Sequence, residues 1–285
     1  MKTLLFLMIF YSSIVPAYCQ CNQSDMESKV GSWGRAEDAF ISGPDPKQLP
    51  QMKLMVQKLA DKVKQAYPNP LGCAPKWYGA YKNNPLDYYP YATAYSLIIP
   101  VYSWRCVNNK EIFGGETGTW LYIEVNKYGF LYNTMTINGK EYKTLRPITE
   151  VKNGFMFFRL YETGNSYQEA WLVTKKDQLP FTALTRKEYL AMINVTDNTE
   201  GNPDVPAVIM PYGSFRGFAK AEHDPNAVTV IRDNPQYFDK KLPASVPQFM
   251  VVYIKYEKNL KATMDFHKAI VDNLKLEELQ AMLGK

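Results

Sequence analysis

Two histidines, His223 and His267, are the only imidazoles in a chain of 285 residues, so any histidine-activated nucleophile must use one of them. His223 lies in Lys220-Ala-Glu-His-Asp-Pro225, with Glu222 and Asp224 on either side, in a stretch whose composition reads as a loop. A base and an orienting acid could be assembled there. Ser214, in Pro211-Tyr-Gly-Ser-Phe-Arg-Gly217, is the nearest candidate hydroxyl in sequence. The strained turn that exposes a catalytic serine needs glycine two positions before it, whereas Gly213 directly precedes Ser214. His223, Glu222, Asp224 and Ser214 thus define a hydrolase alternative that lacks identifiable oxyanion donors, and the plainer reading of the acidic stretch is a solvated turn before proline. His267, within Met264-Asp-Phe-His-Lys-Ala-Ile-Val271, falls in a helical pattern and reads as an ordinary helix-surface or packing residue rather than a base.

Metal and cofactor chemistry has less to stand on. Asp197-Asn-Thr-Glu-Gly-Asn-Pro-Asp204 offers oxygen ligands, but Thr199 and Gly201 occupy positions where a calcium loop needs Asp or Asn, so it reads as a linker. Gly114-Gly115-Glu-Thr-Gly118 lacks the Lys-Ser/Thr of a phosphate loop and reads as a flexible turn. No metal site and no cofactor are expected. No local motif singles out a pair of carboxylates for sugar hydrolysis.

The compositionally unusual region runs from Pro75 to Cys106, where Trp77, Tyr78, Tyr81, Tyr88, Tyr89, Tyr91, Tyr95, Tyr102 and Trp104 alternate with four prolines. Proline excludes a long helix, and so many rings in irregular or extended structure are hard to bury together. Rings with a polar handle suit sugar rings, peptides or a protein surface. Trp77, Tyr78, Tyr81, Tyr88, Tyr89 and Tyr91 are the expected contacts. The functional expectation is a non-enzymatic binding or envelope-interaction protein for a glycan, a peptide or an envelope protein.

Residues 1–19 read as a secretory signal peptide: Lys2, an apolar run from Leu4 to Phe10, then Pro16 and Ala17, with Ala17 and Cys19 at the cleavage positions. A lipoprotein signal needs small residues directly before a cysteine, and Tyr18 or Gln20 stands there instead. The expected location is secreted or periplasmic, with no membrane span after cleavage, since no later apolar run reaches the ~18–20 residues a spanning helix requires. A net charge of +5 with dispersed Lys and Arg gives no nucleic-acid footprint. Of the cysteines that remain after cleavage, Cys73 and Cys106 are the expected disulfide in an oxidising compartment, leaving Cys21 in an amino-terminal tail.

The elements that must position these groups follow from pattern. Residues 20–50 read as a tether that wraps the body, with Trp33 and Phe40 docking on it. Met52, Met55, Leu59, Val63 and Ala66 give an amphipathic helix stopped by Pro68 and Pro70. The stretch from Ala92 to Val107 is strand-like, with Pro100 expected at an edge or bulge. From Thr119 about five β-rich runs form an antiparallel meander, Asn138-Gly139 marks a tight hairpin, and Thr185 with Glu188 fits a capping box.

Residues 51–194 therefore read as a helix-plus-sheet domain, 195–206 as a linker, and 207–285 as a carboxy-terminal α/β segment that can share the same core. In the latter, Phe249 to Ile254 is apolar on both faces, as a strand covered on both sides must be. The fold class is α+β, an amphipathic helix on an antiparallel meander, compatible with a cystatin-like curved sheet. The stretch from Trp171 to Leu190, with Leu-Pro-Phe and Thr-Arg-Lys-Glu-Tyr-Leu, resembles a segment recurring in uncharacterised exported proteins of Gram-negative bacteria. That resemblance implies a bacterial, exported protein and transfers no activity.

Overall fold

In the computed structural model, residues 21–41, 45–82, 91–152, 154–175, 178–195, 201–211, 215–219, 224 and 226–285 are described. The segment read as a signal peptide lies outside them. Apolar residues at steps of three and four from Met52 to Ala66 form one face of helix α2 (Leu49–Ala66), which begins with Pro50 in its first turn and stops before Pro68. That face is buried on a sheet of nine strands.

Most of this sheet is antiparallel. Its order is β1 (Gly34–Arg35), β3 (Cys73–Lys82), β4 (Tyr95–Val107), β5 (Lys110–Val125), β14 (Met250–Glu257), β10 (Ser166–Val173), β9 (Phe155–Thr163) and β8 (Glu150–Lys152), with β2 (Ala39–Ile41) also on β3. The carboxy-terminal strand β14 therefore lies in the middle, paired over its length with β10 and on its other side with β5. Its residues from Met250 to Ile254 are buried on both faces, as their unbroken apolar run requires.

One face of the sheet is covered by α2, α4 (Lys261–Asn273) and α5 (Leu276–Gln280) through Leu97, Ile99, Leu121, Ile123, Val252 and Ile254. The opposite face is covered over only part of its width. There a second sheet of five strands packs: β11 (Phe181–Ala183), β13 (Val228–Asp233), β7 (Lys140–Leu145) and β6 (Tyr132–Ile137), with β12 (Val208–Ile209) paired to β13. Leu145, Phe181 and Ile231 meet Phe158, Ala170, Leu172, Val251 and Tyr253 across that interface. The far side of the second sheet is closed by α3 (Arg186–Met192), whose Tyr189 packs with Tyr142, Ile209 and Val230. The result is an α+β fold.

Several expectations need correction. The runs from Thr119 do not make one meander: the β6–β7 hairpin, turning at Asn138 and Gly139 with φ of 49° and 72°, leaves for the second sheet, while β9 and β10 rejoin the first. For Pro100 the bulge alternative holds and the edge does not: it lies in an internal strand opposite Trp120, with the register shifting just beyond it. The amino-terminal segment adds β1 and β2 in parallel to β3, Trp33 donating from Nε1 to the Tyr67 carbonyl at 2.9 Å. The Thr185–Glu188 capping box is formed as expected.

The Cys73–Cys106 pairing is also wrong. Cys106 bridges to Cys21, tying α1 (Gln23–Ser28) to β4, while Cys73 is a buried free thiol. Cys73 pairs in register with Ser103, and Cys106 is three positions further along β4, on the alternate side of the strand. The bridge spans 85 positions, for which chain-entropy reasoning gives about 4–5 kcal/mol.

Burial pushes the Cys73 thiol up to about 12, with Asp265 adding to it. Peptide mapping with alkylation is expected to recover Cys21 cross-linked to Cys106, and to label Cys73 only after unfolding even at mildly alkaline pH. A Cys73–Cys106 peptide, or rapid native labelling of Cys73, would contradict this arrangement.

Candidate ligand-binding face

Where the second sheet ends, no further described strand or helix is layered on this side of β3, β4 and β5, and Lys29 of the amino-terminal segment lies over Trp104 at 5.2 Å. Strand alternation decides what stands there. Even-numbered residues of β4 point to this side, and the ladder places Tyr78, Ile98, Tyr122 and Tyr253 in one transverse row. The next row holds Pro100, Trp120 and Lys255, with Lys76 beside Pro100 on β3. Tyr102 faces Glu116 in the third, and Trp104 faces Phe113 in the fourth.

The last two rows exist because β5 carries extra residues. Between Trp120 and Glu116 three residues of β5 oppose the single Val101 of β4, and between Glu116 and Phe113 two oppose the single Ser103. Gly118 takes φ of 76° at the first irregularity, and the Thr117 hydroxyl donates to the Val101 carbonyl at 2.8 Å. At the second, a Cβ on Gly114 would come within 2.5 Å of the Ser103 carbonyl oxygen. Gly114 to Gly118 is therefore bulged strand, not the flexible turn expected.

Tyr78, Ile98, Tyr102, Trp120 and Tyr122 are half-buried, and Phe113 is 46% exposed. Trp120 and Tyr122 have ring planes within 18° at 5.8 Å, and Tyr102 and Phe113 within 25° at 6.1 Å. Lys76 lies over Tyr102 at 4.8 Å and over Phe113 at 5.8 Å. Phe130 stacked on Tyr253 at 3.9 Å forms the wall where the second core begins. Burial pushes the Tyr78 phenol above its ordinary value, and the neighbouring Tyr102 and Glu116 add to that shift. The polar groups of Lys76, Tyr78, Tyr102, Glu116, Trp120 and Lys255 make no hydrogen bond or ion pair with any other described residue.

The expected contacts divide accordingly. Tyr78 is on this face. Trp77 and Tyr81 are not: they are 4% and 1% exposed, because alternation along β3 turns odd positions toward α2. Trp77 is capped there by Arg35 at 4.8 Å and Lys64 at 4.9 Å. Tyr91 is half-buried at the margin of the second core beneath Lys240. Tyr88 and Tyr89 lie outside the described residues. Trp120 and Tyr122 were missed, although Trp120-Leu-Tyr-Ile123 carries the signal: rings and aliphatic residues alternate with a period of two.

Of the hydrolase candidates, Ser214, Glu222 and His223 lie outside the described residues. Asp224 holds a turn, accepting from Asn226 N–H on its carboxylate at 3.1 Å, and borders a cavity of about 300 Å³ with Tyr142, Tyr189 and Arg216. His267 is packed, its Nε2 lying 2.9 Å from the Glu169 carboxylate and its ring stacked on Tyr256 at 3.8 Å. No cluster of metal-ligating side chains occurs among the described residues, and none of their helices is long and apolar enough to cross a membrane. Comparison with protein-family models, with curated proteins and with solved structures finds no match.

One buried carboxyl lies next to the open face. Glu124 follows Tyr122 on the same side of β5, accepting from the Ser96 hydroxyl at 2.9 Å and facing Lys127 at 3.3 Å. Burial nonetheless raises its pKa. A raised folded-state value means that its contribution to stability is full below the ordinary carboxylate pKa of about 4.3 and is lost as pH rises through the folded value. The Glu124→Gln variant is expected to gain in melting temperature relative to wild type on going from acid to neutral pH. Parallel pH profiles for the two proteins would contradict this.

Proposed function

We propose that this is a secreted or periplasmic, non-enzymatic binding or envelope-interaction protein that holds its ligand on the uncovered face of β3, β4 and β5. The observation carrying this reading is the strip of half-buried rings from Tyr78 and Tyr122 through Trp120 and Tyr102 to the exposed Phe113. Rings left at a solvent boundary with polar groups unspent supply contact area and orientation together. Export is supported by the signal-like residues 1–19 and is compatible with the Cys21–Cys106 bridge. Of the groups in the hydrolase alternative only Asp224 lies among the described residues, and it holds a turn.

Capture of the protein on immobilised cell-envelope preparations and on peptide arrays tests the reading. Trp120→Ala is expected to weaken capture at least tenfold, with a melting temperature close to wild type, whereas His223→Ala leaves capture unchanged. The opposite pattern, with capture indifferent to Trp120 and abolished by His223→Ala, would overturn it.

A further inference from the structure

We infer that the ligand of this face is a linear oligosaccharide, an inference that rests on the binding reading above and adds the chemical class. The strip follows the strands rather than crossing them: from the row of Ile98 to the row of Trp104 is six residues, roughly 20 Å at the rise of a β-strand. A surface of that length and direction fits a chain of several units. A compact ligand would leave most of it unused.

The chemistry along the strip alternates. Rings of Tyr78, Trp120 and Tyr102 are interleaved with Lys76, Lys255 and Glu116, whose side chains make no hydrogen bond or ion pair with another described residue, Lys76 lying over the Tyr102 and Phe113 rings. A pyranose has the matching pattern, with apolar C–H faces that stack on aromatic rings and a rim of hydroxyls that both donate and accept. Donors are supplied by Lys76, Lys255 and the Trp120 indole, an acceptor by Glu116, and both by the phenols. At the bulge between Trp120 and Tyr102, Gly118 takes φ of 76° and lies beside the Glu257 carboxylate, which a Cβ there would approach to 3.2 Å.

A peptide fits less well. Strand addition needs an open edge, and β3 is paired to β4 on one side and to β1 and β2 on the other; among the described residues β5 lacks a second strand partner only over Lys110–Thr119, where two register irregularities break the ladder a peptide would follow. An amphipathic helix needs a continuous apolar groove, and here charged side chains interrupt the rings.

Calorimetric titration of the wild-type protein with a graded series of linear β-linked glucose and N-acetylglucosamine oligomers, from two to six units, tests the assignment, with an oligoproline and a mixed extended peptide as comparison probes. Affinity for an oligosaccharide is expected to rise with chain length and then level, to fall at least tenfold in Trp120→Ala, and to fall severalfold in Tyr78→Phe. Tyr78→Phe keeps the ring and removes only the hydroxyl, so it remains informative if Trp120→Ala fails to fold. Peptide binding that depends on Trp120, without oligosaccharide binding, would overturn the sugar assignment and leave the binding face standing. Absence of binding by either class, or binding indifferent to both substitutions, would overturn both.

Discussion

The strand Met250–Glu257 needs cover on both of its faces, and the rest of the structure is arranged around that need. Its unbroken apolar run cannot face water on either side, and its central position between β5 and β10 gives it two neighbours to share the requirement. Three helices close one side. A second sheet closes the other, but only as far as Tyr253 and Phe130. Beyond that wall β3, β4 and β5 carry the same side of the sheet onward with no second layer among the described residues, and Tyr78, Tyr102, Trp104, Phe113, Trp120 and Tyr122 stand there with Ile98 and Pro100 among them. The candidate binding face is thus the remainder left by incomplete layering, and its chemistry is already suited to a water boundary.

Residues with strong periodicity declared their places in the sequence. The helix at Met52 to Ala66, the hairpin at Asn138-Gly139, the capping box at Thr185 and the two-sided burial of Phe249 to Ile254 all follow from spacing and turn chemistry. Long-range pairing did not. Nothing local says that β14 inserts between β5 and β10, or that β6 and β7 desert their neighbours for another sheet, since both depend on which surfaces compete for cover. The disulfide differs for a related reason: Cys73 and Cys106 share the aromatic region and Cys21 reads as part of a tail, but strand alternation sets Cys73 into the core and leaves Cys106 to the returning amino terminus.

The binding face was half legible. Composition pointed to the Pro75–Cys106 region, and Tyr78 and Tyr102 do stand on the open side. Composition ignores alternation, however, so Trp77 and Tyr81 were counted with Tyr78 although one step along β3 reverses the face. Trp120 and Tyr122 lay outside the region that looked unusual and became visible only through the ladder that sets them against Pro100 and Ile98. Elsewhere, one described hydrolase candidate and one buried ion pair are engaged in structure. Glu169 holds His267 and thereby α4 against β10, and Asp224 holds a turn.

Hydroxyl-radical footprinting of the free protein, read residue by residue by mass spectrometry, tests directly whether the large sheet is left uncovered beyond Tyr253. Tyr78, Tyr102, Phe113 and Trp120 are expected to oxidise well ahead of Trp77, Tyr81 and Tyr95. Protection of Trp120 and Tyr78 equal to that of Trp77 would mean that this side of the sheet is closed, and the account of an open aromatic face would fail.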